Sequence, residues 1–255
     1  MTPTPVFRLY LWSHRVLYLG VSPDNDLHRH HAAQLCVSLD GPLNYRSDRQ
    51  SSWASSQGIL IPPDHPHQLD AGDATLLALY LEPESDDYPL VHSDGDILPL
   101  ALNAAAIGAL RSLIVGRVDA GHAWSVCASV LDLGANRLPT KGADPRVRSV
   151  IDLIRSRPNQ AFTARKLAAV VHISPSRLSH LFKHEVGVPI RRFIVWSRLR
   201  TVIKRALQGN SLTEAAHAAG FSDAAHMSNA FRQMFGFAPS ALFTTDVPKN
   251  VVIVD

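Results

Sequence analysis

Hydrophobic positions change their rhythm twice along the chain. Up to about residue 95 they come in short apolar runs, "QLCVSL", "GILIPP" and "TLLALYLEP". Turn signals cut them: Asp40-Gly41-Pro42, Pro62-Pro63-Asp64 and Asp70-Ala71-Gly72-Asp73. Many short strands separated in this way predict a sandwich or barrel. From 97 to 138 the apolar residues shift to helical spacing in "LNAAAIGALRSLIVGRV" and "HAWSVCASVLDLGANRL", which predicts two antiparallel helices split near Asp119-Ala120-Gly121. Their apolar content exceeds what one face needs, so they either pack on the barrel or form a dimerisation surface. Residues 139–144, "PTKGAD", read as a linker. Everything from 145 to 245 reads as helix. The tail 246–255 is left as a terminal strand or an unstructured end.

The helical region contains one pattern written twice. "LAAVVHISPSRLSHLFKHEVG" (167–187) and "AAHAAGFSDAAHMSNAFRQMFG" (215–236) each predict a short helix, a turn and a longer helix ending at glycine. Leu178, Leu181, Phe182 and Val186 precede Met227, Ala230, Phe231 and Phe235 by a constant 49 residues, as Gly187 precedes Gly236. The spacing is one stripe of a helix, and glycine after the stripe suits a left-handed cap. Ser174 is an N-cap with Pro175 at the first helical position and Ile173 placed to staple against Leu178; Ser222 or Asp223 caps the second copy. This is the helix-turn-helix unit. Opposite the stripes stand Ser176, Arg177, His180, Lys183 and His184, then Ala225, His226, Asn229, Arg232 and Gln233. They are donors and cations without a carboxylate among them, as a helix in a DNA major groove requires. The segment between the copies predicts a helix of about 18 residues, roughly 27 Å long. That length suits two reading heads about one DNA turn, roughly 34 Å, apart.

Charge supports the division. Residues 1–139 carry 8 Lys+Arg against 15 Asp+Glu, a net −7, and residues 140–255 carry 17 against 7, a net +10. An acidic half joined to a basic half implies two tasks, the second with a polyanion. Arg191, Arg192, Arg198, Arg200, Lys204 and Arg205 make the connecting helix basic. Cys36 and Cys127 suggest no disulfide framework and fit a reducing cytoplasm. The first residues lack a basic region followed by an apolar run, so no secretory signal is expected, and no apolar stretch is long enough for a bilayer.

Residues 145–245 resemble the DNA-binding domain of the AraC/XylS family of bacterial transcriptional regulators. The resemblance rests on the first helix-turn-helix segment quoted above, on "RLRTVI" after Trp196-Ser197, and on "AGFSDAAHMSNAFRQMFGFAPS". It implies a two-domain α+β regulator that binds promoter DNA and contacts or excludes RNA polymerase, with Ser176, Arg177, His180, Lys183, His226, Asn229, Arg232 and Gln233 at the DNA. Met227 stands where the family is usually aromatic and Asn229 where it is often arginine.

The acidic half has its own cluster. His28, His30 and Gln34 share strand parity, and His65 and His67 follow in "IPPDHPH". His31 has opposite parity and falls outside the set; Cys36 shares the parity but reads as a small buried thiol. The run His28-x-His30-x3-Gln34-x6-Gly41 resembles the first cupin motif, with glutamine where a glutamate ligand is usual. Pro62-x-Asp64-x2-His67 resembles the second, with Asp for Gly. This implies a cupin-like sensor barrel over 1–96 with His28, His30, Gln34 and His67 around a small-molecule effector. Two versions remain open: a plain polar pocket, or a divalent transition metal on His28, His30 and His67 with Gln34 as a weak fourth ligand. The reading is a cytoplasmic, non-enzymatic regulator, possible as a homodimer, with a metal-responsive regulator or a metal-dependent cupin enzyme as the alternatives.

Overall fold

The computed structural model describes residues 7–85, 95–116, 118–131, 144–243 and 249–254. Among the described residues nine strands come first: β1 (Phe7–Leu11), β2 (Arg15–Val21), β3 (Ala33–Ser38), β4 (Leu43–Arg46), β5 (Ala54–Ser56), β6 (Gly58–Ile61), β7 (Gln68–Asp70), β8 (Thr75–Leu81) and β9 (Leu98–Leu100). Two helices follow, α1 (Ala104–Ser112) and α2 (Ala120–Val130). The helical domain comprises α3 (Pro145–Ser156), α4 (Ala164–Val170), α5 (Pro175–Val186), α6 (Ile190–Leu207), α7 (Leu212–Ala218), α8 (Ala224–Phe235) and α9 (Pro239–Phe243), and β10 (Lys249–Ile253) closes the chain. The tail is thus a strand, paired in parallel with β1. The expected linker lies outside the described residues except for Asp144, whose side chain caps α3. The helical pair begins at Ala104, because Leu98–Leu100 pair with β6.

The strands form two sheets. The larger runs β10-β1-β2-β8-β3-β6-β9 and the smaller β5-β4-β7. Alternation along the strands gives the large sheet two apolar faces. Leu17, Leu19, Leu35, Val37, Leu77, Leu79 and Leu81 face α1 and α2, and pack with Leu110, Leu113, Ala123 and Cys127. The pair therefore covers the sheet, and Arg8 fixes its end by donating to the Leu113 carbonyl at 2.8 Å. On the other face Cys36, Ile59, Ile61, Leu76 and Ala78 pack with Leu43 and Leu69 of the small sheet. The small sheet does not reach β1 and the near end of β2. There Phe7, Leu9 and Ala32 join a core with Trp196, Leu199, Val202, Phe231, Met234 and Phe235 of the helical domain.

The doubled pattern is realised residue by residue. α5 and α8 are both 12 residues long and 49 apart at both ends. Ser174 and Asp223 cap them by accepting from the backbone N–H three residues on, and Gly187 and Gly236 end them with φ of 80°. α6 links the copies. Its Ile190 and Phe193 lie in the core of the first head with Leu178, Phe182 and Val186, whereas Trp196, Leu199 and Val202 lie in that of the second.

The turns differ. Thr163 and Ser211, which cap the leading helices α4 and α7, are 48 apart rather than 49, so the second turn has one more residue. Each turn has a left-handed residue, His172 at φ 54° and Gly220 at φ 85°. A Cβ on Gly220 would lie 2.8 Å from the Asn159 Cα and 2.9 Å from the Pro158 carbonyl oxygen. Gly220→Ala is expected to lower stability by about 2 kcal/mol, from left-handed strain plus the clash. His172→Gly should stay within about 0.5 kcal/mol of the parent, since relief of strain is offset by added chain entropy. Urea unfolding of the two variants checks both; equal losses would show that the turns are not constrained in this way.

Candidate nucleic-acid interface and effector site

Ser176, Arg177, His180 and Lys183 on α5 are exposed, as are His226, Asn229, Arg232 and Gln233 on α8. The cores fix which way these helices turn. Leu178, Phe182 and Val186 are buried on α5, and Met227, Phe231, Met234 and Phe235 on α8, leaving the polar residues on the opposite surfaces. Met227 is fully buried, so an unbranched thioether fills a position where an aromatic ring was expected. His226 is held at the start of α8 by the Ser222 hydroxyl at 3.1 Å and by an edge-on contact with Phe221. Gln233 differs from the rest. With Ala230 and Met234 it walls an open cleft of about 760 Å³ whose opposite wall includes Leu27, His28 and Arg29.

α6 does not present all its cations outward. Arg192 pairs with Asp64 and Arg200 with Glu82, both acidic residues of the sheet domain. Arg198 donates to the carbonyls of Pro158 and Gln160 at 3.2 Å. The basic excess read from sequence is therefore partly consumed in holding the molecule together.

That boundary is organised by Glu82 and Glu84, just past β8. Glu82 pairs with Arg155 of α3 and Arg200 of α6 and accepts from the Trp196 indole N–H at 2.7 Å. Glu84 accepts from Arg155 at 2.7 Å and lies 2.7 Å from the His31 Nε2, with both side chains almost wholly buried. Burial by itself would raise the Glu82 carboxyl. Arg200, His14, Arg155 and His31 outweigh it and hold the group well below the usual carboxylate range. Sequence reasoning missed this cluster. Its partners lie 53 to 118 residues apart, and the available sign was two carboxylates, "LEPE", at the end of the largely apolar run "TLLALYL".

His28, His30 and His67 do converge. Their ring centroids lie 4.2 to 5.8 Å apart, and His28 and His67 form an isolated antiparallel bridge that joins the entries to β3 and β7. Gln34 Oε1 is 2.7 Å from His30 Nε2, and Gln34 Nε2 donates to the Tyr80 hydroxyl at 3.2 Å and to Cys36 Sγ at 3.0 Å. Desolvation drives the imidazoles toward the neutral form: His28 falls to about 3, His30 to about 4, and His67 goes well below its ordinary value. Burial also pushes the Cys36 thiol up to about 12, as a structural thiol requires. His31 points the other way, to Glu84 and the edge of Phe193. Gln34 and Tyr80 also line a largely apolar cavity of about 90 Å³, closed by Leu9, Val16 and Tyr18 on one side and Trp196, Ile203, Phe231 and Phe235 on the other.

Two helix-turn-helix units on one connecting helix, with polar faces outward, define a double helix-turn-helix DNA-binding domain. Residues 167–245 match a family model described as a helix-turn-helix domain, and they form a domain of the AraC type. GlxA of Rhizobium meliloti (strain 1021), an HTH-type transcriptional regulator, is 27% identical over 164 residues, 58% of this chain and 49% of its own length. NimR of Escherichia coli (strain K12), another such regulator, is 20% identical over 239 residues, 88% of this chain and 85% of its own length. The chain thus spans about half of GlxA and most of NimR. Among solved structures, apo ToxT from Vibrio cholerae strain SCE256 superposes with a TM-score of 0.65 at 12% identity, covering 91% of this chain and 97% of that one. Wild-type ToxT of the same strain, bound to unsaturated fatty acid, gives 0.62 at 13% identity, covering 91% and 95%. These likenesses show the fold, a sheet-rich N-terminal part followed by a helical domain.

The Glu82 cluster yields a stability test. Glu82→Gln leaves Arg200 without its carboxylate and Arg155 with Glu84 alone, and should cost about 3 kcal/mol, the low end for a broken buried pair because both cations reach solvent. Asp40→Asn, which removes an exposed partner of Arg111 at 3.5 Å, should cost about 1 kcal/mol or less. Denaturant unfolding compares them; similar losses would mean that Glu82 does not lock the domains.

Proposed function

We propose that the chain is a sequence-specific DNA-binding transcriptional regulator whose DNA affinity is set by a small, largely apolar effector at the boundary between the sheet domain and the second reading head. The observation that carries this reading is the pair of outward polar faces on α5 and α8, each fixed by a core that α6 enters. Arg177, His180 and Asn229 can read base edges, and Lys183, Arg232 and Ser176 can hold phosphates. Contact with RNA polymerase, self-association through α1 and α2, and a cytoplasmic setting belong to the same proposal. Among the described residues no helix is long and apolar enough to cross a membrane.

The cavity beside Gln34 and Tyr80 supports the effector assignment. A volume of about 90 Å³ is well below the roughly 300 Å³ at which ordinary ligand pockets begin. An effector must therefore widen it, and one wall is built from α6 and α8. A ligand that binds only the widened form shifts the second head by its difference in affinity for the two forms. Fatty-acid-bound ToxT is consistent with an elongated apolar ligand in this fold. The histidine cluster adjoins this cavity through Gln34, so His28, His30 and His67 remain part of the proposed sensor. A cupin enzyme is less well supported, because the three imidazoles are buried among themselves and the neighbouring clefts are walled by the DNA-binding domain.

Selection of genomic fragments by the full-length protein, followed by sequencing, tests the DNA reading. One recurring bipartite site is expected, with affinity falling steeply as salt rises. Arg177→Ala should relax preference at one base pair and cost about 1–3 kcal/mol, while Arg232→Ala should weaken all sites alike. Enrichment of no sequence at any salt concentration would refute the proposal.

A further inference from the structure

Arginines from both domains meet between the two reading heads, and the DNA reading of α5 and α8 makes no use of them. The cleft of about 760 Å³ beside Gln233 is walled by Arg29 of the sheet domain and by Arg191 and Arg192 of α6. A second cleft, of about 460 Å³, is walled by His180 and Lys183 of α5 and again by Arg191. Arg191 therefore stands between the polar surface of the first head and that of the second. It is exposed and, among the described residues, has no carboxylate partner. Arg29 is also exposed. Its nearest carboxylate is Asp64, 3.8 Å away, and the same Asp64 oxygen is already paired with Arg192. Asp64 is held there with a left-handed backbone, φ 60°, by donating its N–H to the His30 carbonyl at 2.8 Å. Glycine would adopt that conformation more readily, so the carboxylate is kept at a cost. One carboxylate thus serves two guanidinium groups, a third stands free of it, and among the described residues no carboxylate lines the cleft.

We propose that Arg29 of the sheet domain, together with Arg191, holds the DNA phosphate backbone between the two half-sites, so that the sheet domain is itself part of the DNA interface. This rests on the DNA reading of the two heads. Heads about one turn apart, roughly 34 Å, leave a stretch of backbone that must pass α6 between them. The cations found there are arginines, whose planar fork suits phosphate oxygens. The sheet domain carries a net −7 over residues 1–139, a charge that would repel DNA at most other points of its surface. Arg29 gives it one attractive point, on the side where it meets Gln233. Asp64 tethers Arg29 and Arg192 to each other across the domain boundary without neutralising both. The contact also gives sensing a direct route to affinity. A shift of the sheet domain against α6 and α8 moves Arg29 relative to Arg191, and with it a phosphate contact.

The test uses full-length protein and a genomic site recovered by the selection described above. Arg29→Gln and Arg191→Gln should each make the slope of log affinity against log salt shallower by about 1, and the double variant by about 2. Base preference should be unchanged. Arg29→Lys should keep the parent slope. Arg111→Gln, an equal change of charge on α1 at the opposite face of the sheet, should keep it too. Proximity is read separately. Cys36 and Cys127 are buried, so a photoactivatable group can be placed on Arg29→Cys, where it should cross-link to DNA between the half-sites; the same group on Arg111→Cys should not. A recovered site with a slope unchanged by Arg29→Gln, or without that cross-link, would overturn the contact while the reading by the heads stands; a cleft that serves a small anion instead would give this result. If selection enriches no site, the reading and the contact fall together.

Discussion

The large sheet has more apolar surface than its own domain can cover, and the rest of the molecule is arranged around that deficit. One face lies under α1 and α2. The other is only partly covered by the three short strands of the small sheet. Phe7, Leu9 and Ala32 therefore complete a core with Trp196, Phe231 and Phe235. Burying such side chains is worth about 1.5–3 kcal/mol each relative to exposure. Separation of the domains would return that surface to water, so the second head is part of the sheet domain's packing as well as a DNA-reading element.

The two heads are in consequence unequal. The first has a core of its own, built from α3, α4, α5 and the start of α6. The second shares its core with the sheet and rests its terminal glycine on the turn before His28. A change at the sheet domain reaches α8 through direct contact, whereas it reaches α5 through α6 and through the Arg155 link of α3 to Glu82 and Glu84. Sensing and reading are joined by packing and a few buried polar contacts, without an intervening lever.

Polar chemistry is concentrated at the same boundary. Glu82 satisfies two guanidinium groups and an indole, and the histidine cluster lies at the other margin of the shared core, within reach of Trp196 through His30 at 6.2 Å between centroids. Buried charge is costly unless paired, so an interface of this kind discriminates strongly between its docked arrangement and others in which partners are missing. That is the physical requirement for a two-state element.

The sequence alone determined the features carried by local rules. The 49-residue repeat of Leu178, Phe182 and Val186 in Met227, Phe231 and Phe235, the cap Ser174, the choice of Ser222 or Asp223 for the second cap, and the closing glycines Gly187 and Gly236 were legible because helix periodicity and capping act over a few residues. Strand parity likewise grouped His28, His30 and Gln34 and set His31 apart. What only the tertiary structure decided were the contacts between distant segments. Glu82 with Arg200, Glu84 with His31, Arg192 with Asp64, and β10 beside β1 join residues whose neighbours in sequence give no sign of the partner. The three-residue strands β5, β7 and β9 are too short for a periodicity to show. Arg192 and Arg200 read as part of a basic face because charge counts every arginine alike. Which of them faces solvent depends on how the sheet's uncovered surface is closed, and that is a property of the packed chain.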